Sequence, residues 1–546
     1  MTPEQGTAPP PIGSATLLTR LGEIARADPR RPLLAVGGET CTYGGMAVAV
    51  DGVAATLDDA GIGVGQRVAL MSDNSVDAVA VWLGVNAIGA VDVPLNVEWR
   101  GSLLEYVLRD ATPTTIYCSQ PHLDRVIEAL SHSAMNPEVT VRILGNEETS
   151  SLAQKHSSRQ AWNARMAHRV AESGVRVDPR PGQLATIMYT SGTTGSSKGV
   201  MLPHGSYAWF GHQCGEYLHM SEDERVYCAQ PLYHIDARIA LASAIMTGGS
   251  CALGRRFSAH RFWDDVRTAS ATRFFFIGTM LRLLDKQPRS QEDASQPARY
   301  ALGSATPPEI HEEFEERFQV SIIEAYGLTE AVFVLASLPG QSRAGSLGMP
   351  TPGFDVRIVD EEDQVVEPGG GTGEIVFRPT VPNVVFLGYW NQAEATVEAW
   401  RNLWFHTGDL GRVGADLEWH FIGRRKDSIR RRGENVSAWE VEQAFTRHPA
   451  VLEAAAIGVP STLGDEDIAV LLVLRPGVTV PPAELCEFVG RDLAYFMVPR
   501  FVEFVPGLPK TPSEKIAKSE LQTRGVSRAA WDAEKVGWKA ARMQRP

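Results

Sequence analysis

The chain has 546 residues, too many for one compact core, so two or more domains are expected. Its 44% hydrophobic and 21% charged residues are ordinary for a soluble globular protein. The formal net charge of −13 argues against nonspecific binding to nucleic acid or to an anionic membrane, while leaving room for a local basic pocket.

The N-terminus, MTPEQGTAPPPIG, is Pro-rich and lacks the basic start and apolar centre of a signal peptide. Helical spacing runs from Leu17 to Ala27, and PLLAV reads as a strand. Met46 to Ala60 reads as a helix, RVALM as a buried strand, and Val76 to Gly89 as a helix buried in a layered fold. The longest apolar run, Val79 to Val91, is interrupted by Asn86 and is too short to span a bilayer. These elements, from residue 15 to about 180, suggest a first α/β lobe.

From about Gly182 to Ala336, strands (TIMYT, CALG, TRFFFIG, SIIEAYG) alternate with helical stretches at Ser258 to Ala269 and Glu309 to Phe318. That alternation predicts βαβ units and a mostly parallel sheet. DVRIVD and EPGGGTGEIVFR then suggest a small β-rich subdomain. GRRKDSIRRRG is a charge-dense break and the best domain boundary. Beyond it, Trp439 to Arg447 and Ala483 to Leu493 read as helices, and VLEAAAIGV and IAVLLVL as strands. Six cysteines (Cys41, Cys118, Cys214, Cys228, Cys251, Cys486) form no C-x-x-C pair, which suits buried thiols in a reducing cytoplasm and no cysteine metal site.

The most informative stretch is YTSGTTGSSKGV, Tyr189 to Val200. Its glycines tolerate positive φ, its backbone N–H groups can converge on an anion, and its hydroxyls add donors. Lys198 adds a point charge suited to phosphate. A flexible linker would not be clamped between two apolar segments. The nucleotide P-loop spacing fails, because Lys198 follows two serines and precedes Gly199.

The stretch resembles the signature loop of the adenylate-forming superfamily, which includes acyl- and aryl-CoA synthetases, luciferases and peptide-synthetase adenylation domains. EAYGLTE (Glu324 to Glu330), WFHTGDLG (Trp404 to Gly411) and LPKTPSEKIAK (Leu508 to Lys518) match in the family's order over nearly the whole chain. The resemblance implies an enzyme that uses ATP and Mg²⁺ to turn a carboxylic acid into an acyl-AMP, then passes the acyl group to coenzyme A. It also implies an α/β fold: layered lobes with a β-rich subdomain over residues 1–425, and a small mobile α+β lid over 426–546. Nucleic acid is not expected as a partner, nor insertion in a membrane; a homodimer is the family-level expectation.

By this resemblance, Thr190, Ser191, Gly192, Thr193, Thr194, Gly195 and Lys198 face the phosphates. Gly303, Ser304, Ala305, Glu324, Ala325, Tyr326 and Gly327 bind ATP or AMP, with Tyr326 stacked on the adenine and the small residues Gly303, Ser304 and Ala305 leaving room for it. Thr329 contacts the α-phosphate and Glu330 coordinates Mg²⁺. EAYGLTE follows the run SII, so it is expected to leave the carboxyl end of a strand. Asp409, expected in a Gly-flanked turn, and Arg424 contact the ribose. The catalytic lysine is Lys515, preceded by Glu514 where the family usually has glycine. Glutamate at that place resembles one branch, the crotonobetaine/carnitine-CoA ligases. Lys510 and Lys518 read as surface lysines.

Lys426 matches the family's hinge residue, about which the lid rotates between half-reactions. Arg432, Gly433 and Glu434 would then meet coenzyme A; a solvated loop is the competing reading for Arg430, Arg431 and Arg432. The resemblance lines the acyl pocket with His234, Phe276, Gly278, Thr279 and Val332, with His234 as its gate. This mixed apolar lining points to an aromatic, alicyclic or medium-chain acid. Asp236 and Arg238 receive no role. An adenylase passing its acyl-AMP to a carrier protein, an amine or a partner enzyme stays open, as do a luciferase-like oxidation and a non-catalytic relative.

Overall fold

The computed structural model describes residues 15–132, 139–144, 179–190, 197–425, 428–431, 434–461, 466–491, 493, 497–511 and 516–538. These fall into two compact units. One takes in the described residues up to 190 together with 197–355 and 378–399; the other takes in 356–377 and those from 400 onward. The β-rich segment thus groups with the C-terminal region, and residue 426, where the sequence suggested a boundary, falls inside the second unit and outside the described residues.

The first unit is built on two sheets. A six-stranded sheet runs in the order Thr140–Ile143, Thr115–Cys118, Arg67–Met71, Val91–Pro94, Leu184–Thr190, Lys198–Pro203. Its first five strands are parallel and the last returns as a hairpin. A nine-stranded sheet has six parallel strands in the middle: Ser321–Leu328, Tyr300–Ser304, Arg273–Ile277, Arg225–Cys228, Ser250–Leu253 and Pro32–Val36. Antiparallel strands close both ends.

Chain order does not divide the sheets as the sequence suggested. Pro32–Val36 pairs with Ser250–Leu253 in the nine-stranded sheet, and Leu184–Thr190 pairs with Val91–Pro94 in the six-stranded one. Both strands are largely buried, and a strand joins the sheet that covers both its faces rather than its nearest neighbour in sequence.

Local signals explain several helices. Leu17–Ala27 is capped by Thr16, whose hydroxyl accepts from Thr19 N. The second helix begins at Tyr43, three residues before the expected start, because Thr42 caps it through Gly45 N. Val76–Ala87 is buried on nearly every face, as its composition requires. No helix among the described residues is long and apolar enough to cross a membrane.

In the second unit, one sheet contains Phe354–Val359, Thr372–Pro379, Phe405–Val413 and Trp419–Arg424. A ribbon of Ser428–Arg431 and Glu434–Ser437 follows. A further sheet of Val451–Pro460, Glu466–Leu474, Phe501–Phe504 and Trp531–Asp532 carries helices Ala438–Thr446, Pro482–Val489 and Lys518–Arg524. The helix over 482–489 ends short of the expected Leu493, its last turn closing on Gly490.

Candidate active site

In the first unit the hairpin sets Thr190 opposite Lys198 and Tyr189 opposite Gly199. The ends of the glycine-, serine- and threonine-rich loop are therefore held one ladder step apart. Ser191, Gly192, Thr193, Thr194 and Gly195 lie outside the described residues. Aromatic residues brace the loop's base. The Tyr189 hydroxyl donates to Asp110 Oδ2 at 2.6 Å, and the Tyr106 hydroxyl donates to the Ser197 carbonyl at 3.0 Å. Trp390 Nε1 and Asn391 Nδ2 both donate to the Asp110 carbonyl. A side chain at Gly199 would press on Ile187, Trp390 and Tyr189, so glycine is required by close packing there.

The nine-stranded sheet presents a second group. Its neighbouring parallel strands set Phe276 opposite Gly303, Ile277 opposite Ser304, and Gly303 opposite Glu324. Gly278, Thr279, Ser304, Ala305 and Glu324 therefore gather at the carboxyl ends of three adjacent strands, where ligands bind in open α/β sheets. A Cβ on Gly278 would lie 1.8 Å from the Ala305 carbonyl oxygen. Ala305 itself has φ +60°. Its loop is held by the Glu324 carboxylate, which accepts from Ala305 N at 2.7 Å, Thr306 N at 3.1 Å and the Thr306 hydroxyl. Burial pushes the Glu324 carboxyl up to about 7, against the pull of those donors.

EAYGLTE forms a hairpin rather than an exit from a strand. The strand Ser321–Leu328 continues past its last parallel partner because Ala331–Ala336 takes over the ladder, with Tyr326 opposite Leu335 and Leu328 opposite Ala331. Thr329 and Glu330 are the two turn residues. Ala325, Tyr326 and Glu330 are buried, Thr329 and Val332 half-buried, and Gly327 exposed. The Tyr389 hydroxyl donates to Glu330 Oε1 at 2.7 Å. The Lys198 ammonium lies 4.6 Å from the centre of the Tyr389 ring.

His234 occupies the position just before the helix Ile235–Thr247, without a side-chain capping bond, at the end of the loop that follows Arg225–Cys228. Asn74 and Arg238 fasten that loop from two sides. Asn74 donates to the Gln230 carbonyl at 2.9 Å and accepts from Leu232 N at 2.8 Å. Arg238 Nε donates to the Leu232 carbonyl at 2.7 Å while Nη1 meets Asp92 Oδ2 at 2.6 Å. Phe276 does not line an open wall. It packs into a core cluster with Phe274, Met280 and Phe314, because residues two apart on a strand share a face. His234, Ile277 and Thr279 keep half-buried surfaces at these strand ends.

In the second unit, Asp409 and Arg424 face each other across two antiparallel strands, with Oδ1 3.2 Å from Nε. Asp409 was expected in a turn; it lies within the strand Phe405–Val413, beside a bulge that Gly408 at φ +71° precedes. The Glu374 carboxylate supports that stretch, accepting from Gly408 N at 2.8 Å and lying 3.0 Å from His406 Nδ1. Arg431 is buried, not solvated: it faces Asp467 and donates to the Val498 carbonyl. Lys510 pairs with Glu453 and Lys518 with Glu442, so both have structural partners. Lys515, Lys426, Arg432 and Gly433 lie outside the described residues, as does the Glu434 side chain; its backbone opens a ribbon strand.

The donor set at Glu330 suits magnesium better than a transition metal. No group of three or more His, Cys, Asp or Glu side chains that could hold a metal occurs among the described residues. Mg²⁺ needs only one or two carboxylates when phosphate oxygens and waters complete its shell. Glu330 would supply one such hard oxygen ligand, and the Tyr389 hydroxyl donates to its Oε1.

Comparison with known proteins decides the family. The model described as AMP-binding enzyme matches residues 21–390, and that described as AMP-binding enzyme C-terminal domain matches residues 440–515. The chain belongs to the AMP-binding enzyme family. This AMP-binding chain is 30% identical to the sulfoacetate–CoA ligase of Cupriavidus necator, over 93% of its own length and 97% of that protein. It is 30% identical to the crotonobetaine/carnitine–CoA ligase of Salmonella typhimurium, over 85% and 89% of the two chains. The ATP-bound structure of MatB from Rhodopseudomonas palustris superposes with a TM-score of 0.82 at 27% identity, covering 94% of this chain and 99% of that one.

The motif-based reading missed the residues that support the site: Asp110, Tyr389, and the Asp92–Arg238 pair. Arg238 carried a readable signal, the lone cation of a helix whose only other charge is Asp236 in its first turn.

Proposed function

We infer that this AMP-binding enzyme is an AMP-forming carboxylic acid–coenzyme A ligase for a short acid that bears a second polar group. The observation that carries the reading is the common anchoring of Lys198 and Glu330 on Tyr389, beside three strand ends gathered at Gly278, Ser304 and Glu324.

In the first half-reaction the substrate carboxylate attacks the α-phosphorus of ATP and pyrophosphate leaves. Negative charge spreads over phosphate oxygens, so catalysis rests on preorganised cations and donors. Thr190, Lys198 and the loop between them cradle the phosphates, Tyr326 stacks on adenine, and Thr329 donates to the α-phosphate. Glu330 would hold Mg²⁺, which when bound would supply positive charge against the triphosphate. Asp409 and Arg424 carry the ribose contacts, and Lys515 stabilises the charge that develops on carboxylate and α-phosphate. In the second half-reaction a thiol attacks the acyl carbonyl and AMP leaves. Arg432, Gly433 and Glu434 serve coenzyme A, and Lys426 serves as the hinge between the two states.

The acid is short and polar for two reasons. The placement of Phe276 in the core removes aromatic lining from the pocket and leaves His234, Ile277 and Thr279 at the strand ends. The sulfoacetate and crotonobetaine/carnitine ligases also take acids with a second charged group. The six free cysteines suit a cytoplasmic enzyme and do no chemistry; burial pushes the Cys118 and Cys486 thiols up to about 12. A homodimer is the expected assembly. Acid-dependent exchange of pyrophosphate into ATP, followed by trapping of the CoA thioester, tests the reading.

A further inference from the structure

We propose that Tyr389 is the positioning residue that holds Glu330 and Lys198 in register for metal–nucleotide binding. The inference rests on the reading of Glu330 as the magnesium ligand and Lys198 as a phosphate contact.

One side chain meets both charges through different parts. Its hydroxyl donates to Glu330 Oε1 at 2.7 Å. Its ring face carries the Lys198 ammonium 4.6 Å from the ring centre, within cation–π range. Both Tyr389 and Glu330 are buried, at 7% and 9% exposure, so these contacts form where water does not weaken them.

The ring is itself fixed. Leu387 N donates to the Met201 carbonyl, Met201 N to the Gly388 carbonyl, and Trp390 N to the Gly199 carbonyl, at 2.7, 3.0 and 2.7 Å. Phe386 N donates to the Glu330 carbonyl at 2.9 Å, and Tyr389 N to Thr396 Oγ1 at 2.9 Å. The segment 386–390 is thus laced to the strand that begins with Lys198 and to the turn that bears Glu330. A tyrosine so held sets the plane of the carboxylate and the position of the ammonium together. Partners that orient a metal ligand typically change metal affinity by about 10- to 100-fold when removed.

The test is calorimetric binding of ATP to the full chain without acid substrate, in saturating Mg²⁺ and again in EDTA. Tyr389→Phe keeps the ring and the lysine seat but loses the hydroxyl. It should weaken MgATP binding about 10- to 100-fold and leave ATP binding in EDTA unchanged. Thr396→Val, which removes the hydroxyl that accepts from Tyr389 N and leaves Glu330 intact, should show a smaller metal-specific loss, and it carries the test if Tyr389→Phe does not fold. Tyr389→Leu should lower binding in EDTA as well, because the platform under Lys198 is gone. Equal losses with and without Mg²⁺ in Tyr389→Phe would make Tyr389 a purely structural residue and overturn the proposal. Glu330→Gln separates the underlying reading. If it abolishes the Mg²⁺-dependent gain while Tyr389→Phe keeps it, Tyr389 is excluded and Glu330 stands. If Glu330→Gln also keeps the full gain, Glu330 is not the metal ligand and the proposal falls with that reading.

Discussion

Arg238 Nη1 lies 2.6 Å from Asp92 Oδ2, and neither side chain has any exposure to solvent. The pair joins a strand of the six-stranded sheet to the helix that follows His234. Trp82 lies beneath the guanidinium, its ring centre 4.4 Å from the central carbon. Burial pushes the Asp92 carboxyl up and the Arg238 charge pulls it back. For Arg238 burial is the largest single influence and acts to lower the pKa, but the Asp92 charge, Tyr207 and the hydrogen bonds to both together outweigh it, so the cation persists.

Removing one partner strands the other charge, which typically costs about 3–5 kcal/mol, whereas replacing both with apolar groups of similar volume is far milder. Arg238→Met and Asp92→Leu should each lower the calorimetric melting temperature sharply. The double variant should recover most of the loss. Additive losses would show that the two charges are not coupled.

Glu324 gives a pH signature. Its carboxyl sits at about 7 in the fold, above its ordinary value of 4.5, so the folded state favours the protonated form. Its contribution to stability is full below about 4.5 and is lost as pH rises through about 7. The span is on the order of 3 kcal/mol at about 1.4 kcal/mol per pH unit. Melting temperatures of Glu324→Gln should therefore be flatter than wild type between pH 5 and 8 (about the two ends of that window). Parallel curves would contradict the assignment.

Asp409 tests the ribose role. If its carboxylate accepts from ribose hydroxyls, Asp409→Ala loses charge-assisted bonds typically worth about 1.5–3 kcal/mol each. The KM for ATP should rise at least about tenfold, and discrimination against 2′- and 3′-deoxy-ATP should collapse. A variant that weakens ATP yet keeps that discrimination would remove Asp409 from the ribose.

The sequence made local order readable and long-range pairing only partly so. Leu17–Ala27 and Arg67–Met71 are legible because helical spacing in the one and a short apolar run in the other each lie within a few residues. The sheet joined by Pro32–Val36 was not visible, since its partner lies more than two hundred residues away. Tyr389 and Glu330 are 59 positions apart, and a single tyrosine between Gly388 and Trp390 announces no partner. Arg238 and Asp92, 146 positions apart, could have been matched. Asp92 is the lone charge of its strand and Arg238 the lone cation of its helix, and such charges are rarely buried unpaired. Phe276 misled because three consecutive phenylalanines on a strand do not announce which face is core.

On its proposed role, Lys515 would separate the half-reactions. Lys515→Ala should nearly abolish adenylation and largely spare CoA thioester formation from a supplied acyl-AMP. Single-turnover assays of each step check this. Equal loss in both steps would mean Lys515 serves the fold or both reactions.

The most direct test of the central claim is acid-dependent ATP–pyrophosphate exchange over a panel of short polar, aromatic and medium-chain acids, with CoA then added and thioester and AMP measured. The account predicts exchange with a short acid bearing a second polar group, and conversion to its CoA thioester once CoA is present. Exchange without thioester would contradict the ligase assignment and move the acyl group to another acceptor; no exchange with any acid would contradict adenylate formation itself.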